Sequence, residues 1–147
     1  MPENKTKFLV AVHLLLEKDG KLLLLRRFNT GYEDGNYSVI AGHLEGGENV
    51  LQAAAREAKE EAEITISPQD MQVVHVMHRK SREEWVNFFI NTIKWQGEPS
   101  NAEPDKCDEL KWFDRDGLPK NIVPYVRAAL ENIDAGIFFS LYGWPQV

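Results

Sequence analysis

Residues 41–64 read AGHLEGGENVLQAAAREAKEEAEI, a glycine-rich turn that runs into a helix dense in glutamate. Asn49 is a strong N-cap with Gln52 at the spacing of a capping box, so the helix starts at about Val50, and no proline interrupts it before Ile64. At about 100° per residue, Leu51, Ala54, Ala55, Ala58 and Ala62 share one arc while Glu57, Glu60 and Glu61 share another. One face packs and the other gathers carboxylates. Those three glutamates are neighbours on the helix, and like charges at that spacing cost a few tenths of a kcal/mol per pair. A hard divalent cation offsets the repulsion, because Mg²⁺ takes oxygen ligands and bridges carboxylates to a substrate's phosphates. Taken alone, the same run also reads as a solvated helix face.

The glutamates do not come alone. Gly42 is followed after five residues by Glu48, then after seven by Arg56 and Glu57, with Ala58 and Lys59 before Glu60 and Glu61. This spacing resembles the Nudix box, G-x5-E-x7-R-E-U-x-E-E-x-G-U, where U is a bulky aliphatic residue. Gly42, Glu48, Arg56, Glu57, Glu60 and Glu61 all match it. Two positions depart. Ala58 stands where a larger aliphatic is usual, which changes packing. Glu63 replaces the glycine that would supply a left-handed cap, which bears on the shape of the helix end.

The resemblance implies an α/β fold, the Nudix-type α/β/α sandwich with a mixed central sheet. It also implies hydrolysis of a nucleoside diphosphate linked to another group, with Mg²⁺ or Mn²⁺ as cofactor. Carried over by position, Glu57, Glu60 and Glu61 are the metal ligands and the main-chain carbonyl of Ala41 is a further one. Arg56 and Glu48 stand behind them, since a guanidinium orients carboxylates by bidentate hydrogen bonds. The implied chemistry is attack on phosphorus by a metal-activated water. A base is then wanted, and a glutamate serving as ligand is a poor one. Glu103, in the run Asn101-Ala102-Glu103-Pro104-Asp105, is the candidate for an added ligand or base, with an exposed loop acid as the alternative.

Composition agrees with a small hydrolase. With 147 residues, 43% of them hydrophobic, residues 1–147 fit one domain with one core. A net charge of −6 argues against a nucleic-acid surface, which needs a basic stripe, whereas a small polyphosphate substrate still binds once metal ions reverse the local charge. Cys107 is the only cysteine, so no intrachain disulfide forms. Residues 1–7 lack the apolar core of a signal peptide and no apolar run is long enough to span a membrane, so the expected location is the cytoplasm.

In chain order, residues 8–16 and 21–25 are apolar runs joined through Asp19-Gly20, the mark of a hairpin, and their near-continuous hydrophobicity predicts burial on both faces. Arg26 and Arg27 end the second run beside the polar loop 29–36, where they either reach phosphate oxygens or sit in solvent. Residues 37–40 read as a short strand delivering Ala41. Residues 71–79 and 84–95 form a second antiparallel pair, in which His75 and His78 point to opposite faces and read as structural. A loop at 97–106 leads to a strand at 109–113. Asn121 either caps a last helix over 122–133 or reads a nucleobase edge through its amide. The aromatic tail, 137–147, either returns to the core or meets a second copy in a homodimer.

The substrate is the least legible feature. The short chain favours a nucleoside triphosphate, cleaved to nucleoside monophosphate and pyrophosphate. The alternatives are an ADP-sugar or similar conjugate and, in a different class, a nucleotide-binding module without turnover, against which the intact Arg56, Glu57, Glu60 and Glu61 speak.

Overall fold

The computed structural model describes residues 5–145. Part of the 1–7 segment and the last two residues of the aromatic tail lie outside the described residues. The elements run β1 (Leu9–Lys18), β2 (Lys21–Arg27), β3 (Tyr37–Ser38), β4 (Ile40–His43), α1 (Val50–Ala62), β5 (Gln72–Lys80), β6 (Glu84–Thr92), β7 (Cys107–Asp114), α2 (Pro124–Asp134) and β8 (Phe139–Tyr142). None of the described helices is long and apolar enough to cross a membrane.

Asp19 and Gly20 both have positive φ, 54° and 74°, as a two-residue hairpin turn demands. β1 and β2 pair only next to that turn, at Glu17 with Leu22 and Lys18 with Lys21, and then part. β1 goes on to pair antiparallel with β4 and parallel with β6, and the sheet continues through β5 to β8. β2 continues instead between β3 and β7. The eight strands therefore form one mixed sheet that splits at β1 and β2.

A helix covers each face. Val12, Leu14 and Leu16 of β1 pack with Ala53, Ala54, Ala58 and Ala62 of α1, whereas Leu15 packs with Leu22, Leu24, Val126 and Leu130 on the α2 side. Alternate residues of a strand face opposite ways, so a strand covered on both faces is apolar throughout. This is the α/β/α sandwich that the sequence led us to expect. The alanine seam brings α1 close to the sheet, and the fully buried Ala58 is part of it. Ala53 belongs to this seam, while Leu51 and Ala55 lie at its margin, partly buried.

The capping box forms as read: Gln52 N–H donates to Asn49 Oδ1 at 2.9 Å, and Asn49 N–H donates to Gln52 Oε1 at 2.9 Å. Such a cap is worth about 1 kcal/mol. At the other end Glu63 itself takes the left-handed conformation, φ 57° and ψ 33°, that glycine adopts without strain. The chain reverses there, and the freed carbonyls of Glu61 and Ala62 accept the N–H groups of Ala102 (3.2 Å) and Ser100 (3.0 Å). Helix end and 97–106 loop are thus fastened together.

Three expectations need correction. The last helix begins at Pro124, not 122, because proline at the first helical position sets the start, and its N-cap is Val123 without a side-chain bond. Asn121 is therefore not a cap; its amide donates to Gly35 O at 2.9 Å. The short strand at 37–40 breaks at Val39 into β3 and β4, so Ala41 lies within a strand. The tail returns as β8, held by His75, whose two ring nitrogens meet Ile137 O (2.9 Å) and Ser140 Oγ (2.8 Å). His75 is buried and structural, as read.

Two stability measurements check these assignments. Glu63→Gly should stabilise the protein by roughly 0.5–1 kcal/mol in denaturant titration, since it relieves the left-handed strain; a lower midpoint would refute that strain. Burial, followed by the charge of Arg79, pushes the pKa of His13 down to about 3 from its ordinary 6.5. Its contribution to stability is therefore present above 6.5 and lost as pH falls towards 3. His13→Gln should flatten the acid limb of the stability profile over that interval, and an unchanged limb would count against it.

Candidate active site

Arg56 is the hub. Its Nε and Nη2 donate to the two oxygens of Glu48 at 3.1 and 2.8 Å, a bidentate pair. Nη2 also reaches His43 O at 3.1 Å, and Nη1 reaches Glu57 Oε1 at 2.8 Å and Glu60 Oε2 at 3.4 Å. These contacts raise the guanidinium's pKa further, first through Glu48. The i, i+1 and i+4 placement on α1 lets one side chain touch both helix glutamates while Glu48 comes in from the glycine turn. Gly42 leaves that turn the room it needs, because a Cβ there would stand 2.1 Å from Glu57 Oε1.

Glu61 differs from its neighbours. Its Oε2 is shielded from solvent and has no hydrogen-bond partner among the described residues. Burial, then Glu57 and Glu103 beside it, pushes its pKa well above the ordinary range, against a smaller lowering by the Ala41 backbone. Glu60 is the open one, its side chain 52% exposed.

These groups line one cleft of about 500 Å³ that takes in Glu57, Glu60, Glu61, Glu103, Ala41, Arg26 and Arg27. Glu103 arrives because the 97–106 loop is tied to the end of α1 and folds back on itself, with Glu103 O accepting from Lys106 (2.9 Å) and Cys107 (3.0 Å). Arg26 is held by Asp108 Oδ1 at 2.7 Å, and Arg27 by Tyr32 O at 2.6 Å and Thr30 Oγ1 at 3.0 Å. Asn121 does not line this cleft. Asn29, Thr30, Ser38, Lys106 and Cys107 do, and sequence reasoning missed them, because no spacing links loop residues to a site assembled by the fold.

Four carboxylates on one cleft suit a hard divalent cation. The fit is carried by two observations: the orphaned, buried Glu61 oxygen, and a glycine that leaves room for Glu57 where any side chain would intrude. Among the described residues no three acidic, histidine or cysteine side chains are already gathered about one point. Arg56 instead holds Glu57 and Glu60 towards itself.

The NUDIX domain model matches residues 6–133. An ADP-ribose pyrophosphatase of Methanocaldococcus jannaschii is 31% identical over 111 residues, 76% of this chain and 64% of its own length. An NAD-capped RNA hydrolase NudC of Stutzerimonas stutzeri is 29% identical over 110 residues, covering 72% of this chain and 36% of its own length. The chain thus spans under two thirds of both relatives. Among solved structures, a MutT NUDIX hydrolase from Burkholderia pseudomallei superposes with a TM-score of 0.78 at 29% identity, over 86% of this chain and 98% of that one. The E. coli ORF135 protein, at 22% identity and a TM-score of 0.75 over 88% and 90% of the two chains, shares the fold.

The environment of Glu61 makes a prediction for the metal-free protein. The fold favours the protonated carboxyl, so this group's stabilising contribution is full below its ordinary 4.5 and is lost as pH rises through the raised folded value. Glu61→Gln fixes the neutral form. In EDTA at neutral pH the variant should melt no lower than the parent, and the fall in stability from acid to neutral pH should shrink. A variant that melts lower at neutral pH would show that the carboxylate is stabilised in place.

Proposed function

The chain belongs to the Nudix family, and on that premise we propose that it hydrolyses the phosphoanhydride of a nucleoside diphosphate linked to another group. The observation that carries this reading is the meeting of Glu57, Glu60, Glu61 and Glu103 with Arg26, Arg27 and Lys106 on one cleft. Acids for metal ions thereby face cations for phosphate oxygens.

Enzymes of this family use divalent metal ions. Here Glu57, Glu60, Glu61 and the carbonyl of Ala41 are the groups that would hold Mg²⁺ or Mn²⁺. When bound, such ions polarise phosphoryl oxygens and lower the pKa of water. The chain's own residues do the rest. Arg56 and Glu48 keep the helix glutamates in a fixed plane, which a bidentate guanidinium does and an ammonium does not. Arg26 and Arg27 grip the diphosphate and set it in line. Glu103, on a loop free of Arg56, takes the proton of the attacking water or adds a metal ligand.

At the finer level the first reading is a nucleoside triphosphate cleaved to nucleoside monophosphate and pyrophosphate. Three cations at the cleft suit the higher charge of a triphosphate tail. The second reading is an ADP-sugar or related conjugate, which the 31% likeness to an ADP-ribose pyrophosphatase favours. A panel of nucleoside triphosphates, ADP-ribose and NAD, assayed with Mg²⁺ for released monophosphate and pyrophosphate, separates the two. No turnover on any of them, with binding retained, would leave a nucleotide-binding module.

On the best substrate, Glu60→Gln and Glu61→Gln should each lower kcat at least a hundredfold with the fold intact, about the effect of losing a ligand charge. Arg56→Lys should lower kcat by roughly ten- to a hundredfold although the charge is kept. Near-parental kinetics of Glu60→Gln or Glu61→Gln at limiting Mg²⁺, or of Arg56→Lys at any Mg²⁺, would remove the residue concerned from the machinery.

A further inference from the structure

Arg79, near the end of β5, is only 9% exposed, yet among the described residues its guanidinium makes no hydrogen bond or ion pair, and its Nε is buried without a partner. It stands over the ring of Tyr125, 4.0 Å from the centroid, and 5.2 Å from that of Trp85. Aromatic faces attract a cation but leave its N–H donors unused. A buried charge whose donors are unspent is costly unless something else satisfies it.

Arg79 opens onto a cavity of about 180 Å³, lined also by Tyr32, Lys80, Ser81, Tyr125 and Tyr142. The acid on its wall, Glu33, already accepts the amide of Asn36 at 2.6 Å. The phenol of Tyr125 is engaged with His13 Nε2 at 2.9 Å. Arg79 is thus the buried cation on a wall that also carries the Glu33 carboxylate and Tyr32 and Tyr142, while the ammonium of Lys80, the next residue along β5, lies 5.2 Å over the ring of Trp144. The first turn of α2, at Pro124 and Tyr125, brings the positive end of a helix dipole to the same wall. The unspent donors of Arg79 call for an anion. The space is below the roughly 300 Å³ of a pocket for a whole small-molecule ligand, so it suits one tetrahedral group.

We infer that this cavity is a phosphate-binding site, taking a free phosphate ion or the terminal phosphate of a longer ligand through Arg79. It is separate from the proposed catalytic cleft, with which it shares no lining residue, and is linked to it through one contact. Tyr32 lines the cavity, and its carbonyl and ring hold Arg27 of the cleft at 2.6 Å and 5.3 Å respectively. An occupant fixes Tyr32 and so the seat of Arg27.

The test is run on the full chain in EDTA without substrate, so its outcome does not depend on the proposed hydrolysis. Backbone amide NMR shifts are followed in one arm with inorganic phosphate and in another with ribose 5-phosphate. Saturable shifts at Tyr32, Arg79, Lys80, Ser81 and Tyr125 are expected. They appear with phosphate alone if the site takes the free ion, and with both ligands if it takes a terminal group. Arg79→Gln should raise Kd at least tenfold, and Arg79→Lys should recover part of that loss. Should Arg79→Gln fail to fold, Tyr142→Phe, which removes only a hydroxyl at the cavity wall, should raise Kd severalfold. Shifts confined to Arg26, Arg27 and Lys106, no shifts in either arm, or an unchanged Kd in the folded variants would overturn the assignment.

Discussion

The site depends on one guanidinium holding apart acids that would otherwise repel one another. Glu57, Glu60 and Glu61 are neighbours on α1, and without Arg56 that face would destabilise its own helix. Arg56 ties two of them to Glu48 and to the carbonyl of His43, joining helix and glycine turn into one unit. The third, Glu61, is left without such a partner and shielded from water, which shifts it towards the neutral form.

The scaffold keeps this unit in place by burying β1 on both faces. Its apolar run serves α1 through the even-numbered residues and α2 through the odd-numbered ones, so neither helix moves without opening the core. The alanines of α1 matter because small side chains set the helix close to the sheet, bringing Glu57 against Gly42. Glu63 then adopts a strained reversal at the helix end, and the carbonyls it frees fasten the loop that carries Glu103. The strain sits next to the site, where such conformations tend to gather.

Behind the same loop that seats Arg27 lies a second charged region with a different logic. The first cleft gathers four carboxylates, while the second is lined by the buried, unpaired Arg79. His13, Tyr32 and Tyr125 all feel the charge of Arg79. The α2 side of the sheet thus carries polar chemistry inside an otherwise apolar layer.

What the sequence determined by itself was local. The capping box at Asn49 and Gln52, the Asp19-Gly20 turn, the doubly buried β1 and the spacing that sets Arg56 beside Glu57 and Glu60 are written in residues near one another along the chain. Such features obey the periods of helix and strand, which the sequence displays directly. The start of α2 was misread because Asn121 is as good a cap as any, and only the proline three residues on decided against it. Tertiary structure alone decided that β8 returns beside β5, that Glu103 meets Glu61, that Lys106 joins the cleft and that Arg79 is buried unpaired. Each is a contact between distant parts of the chain, and no periodicity records it. It exists only because the packed sheet brings separate loops and strand ends to the same place.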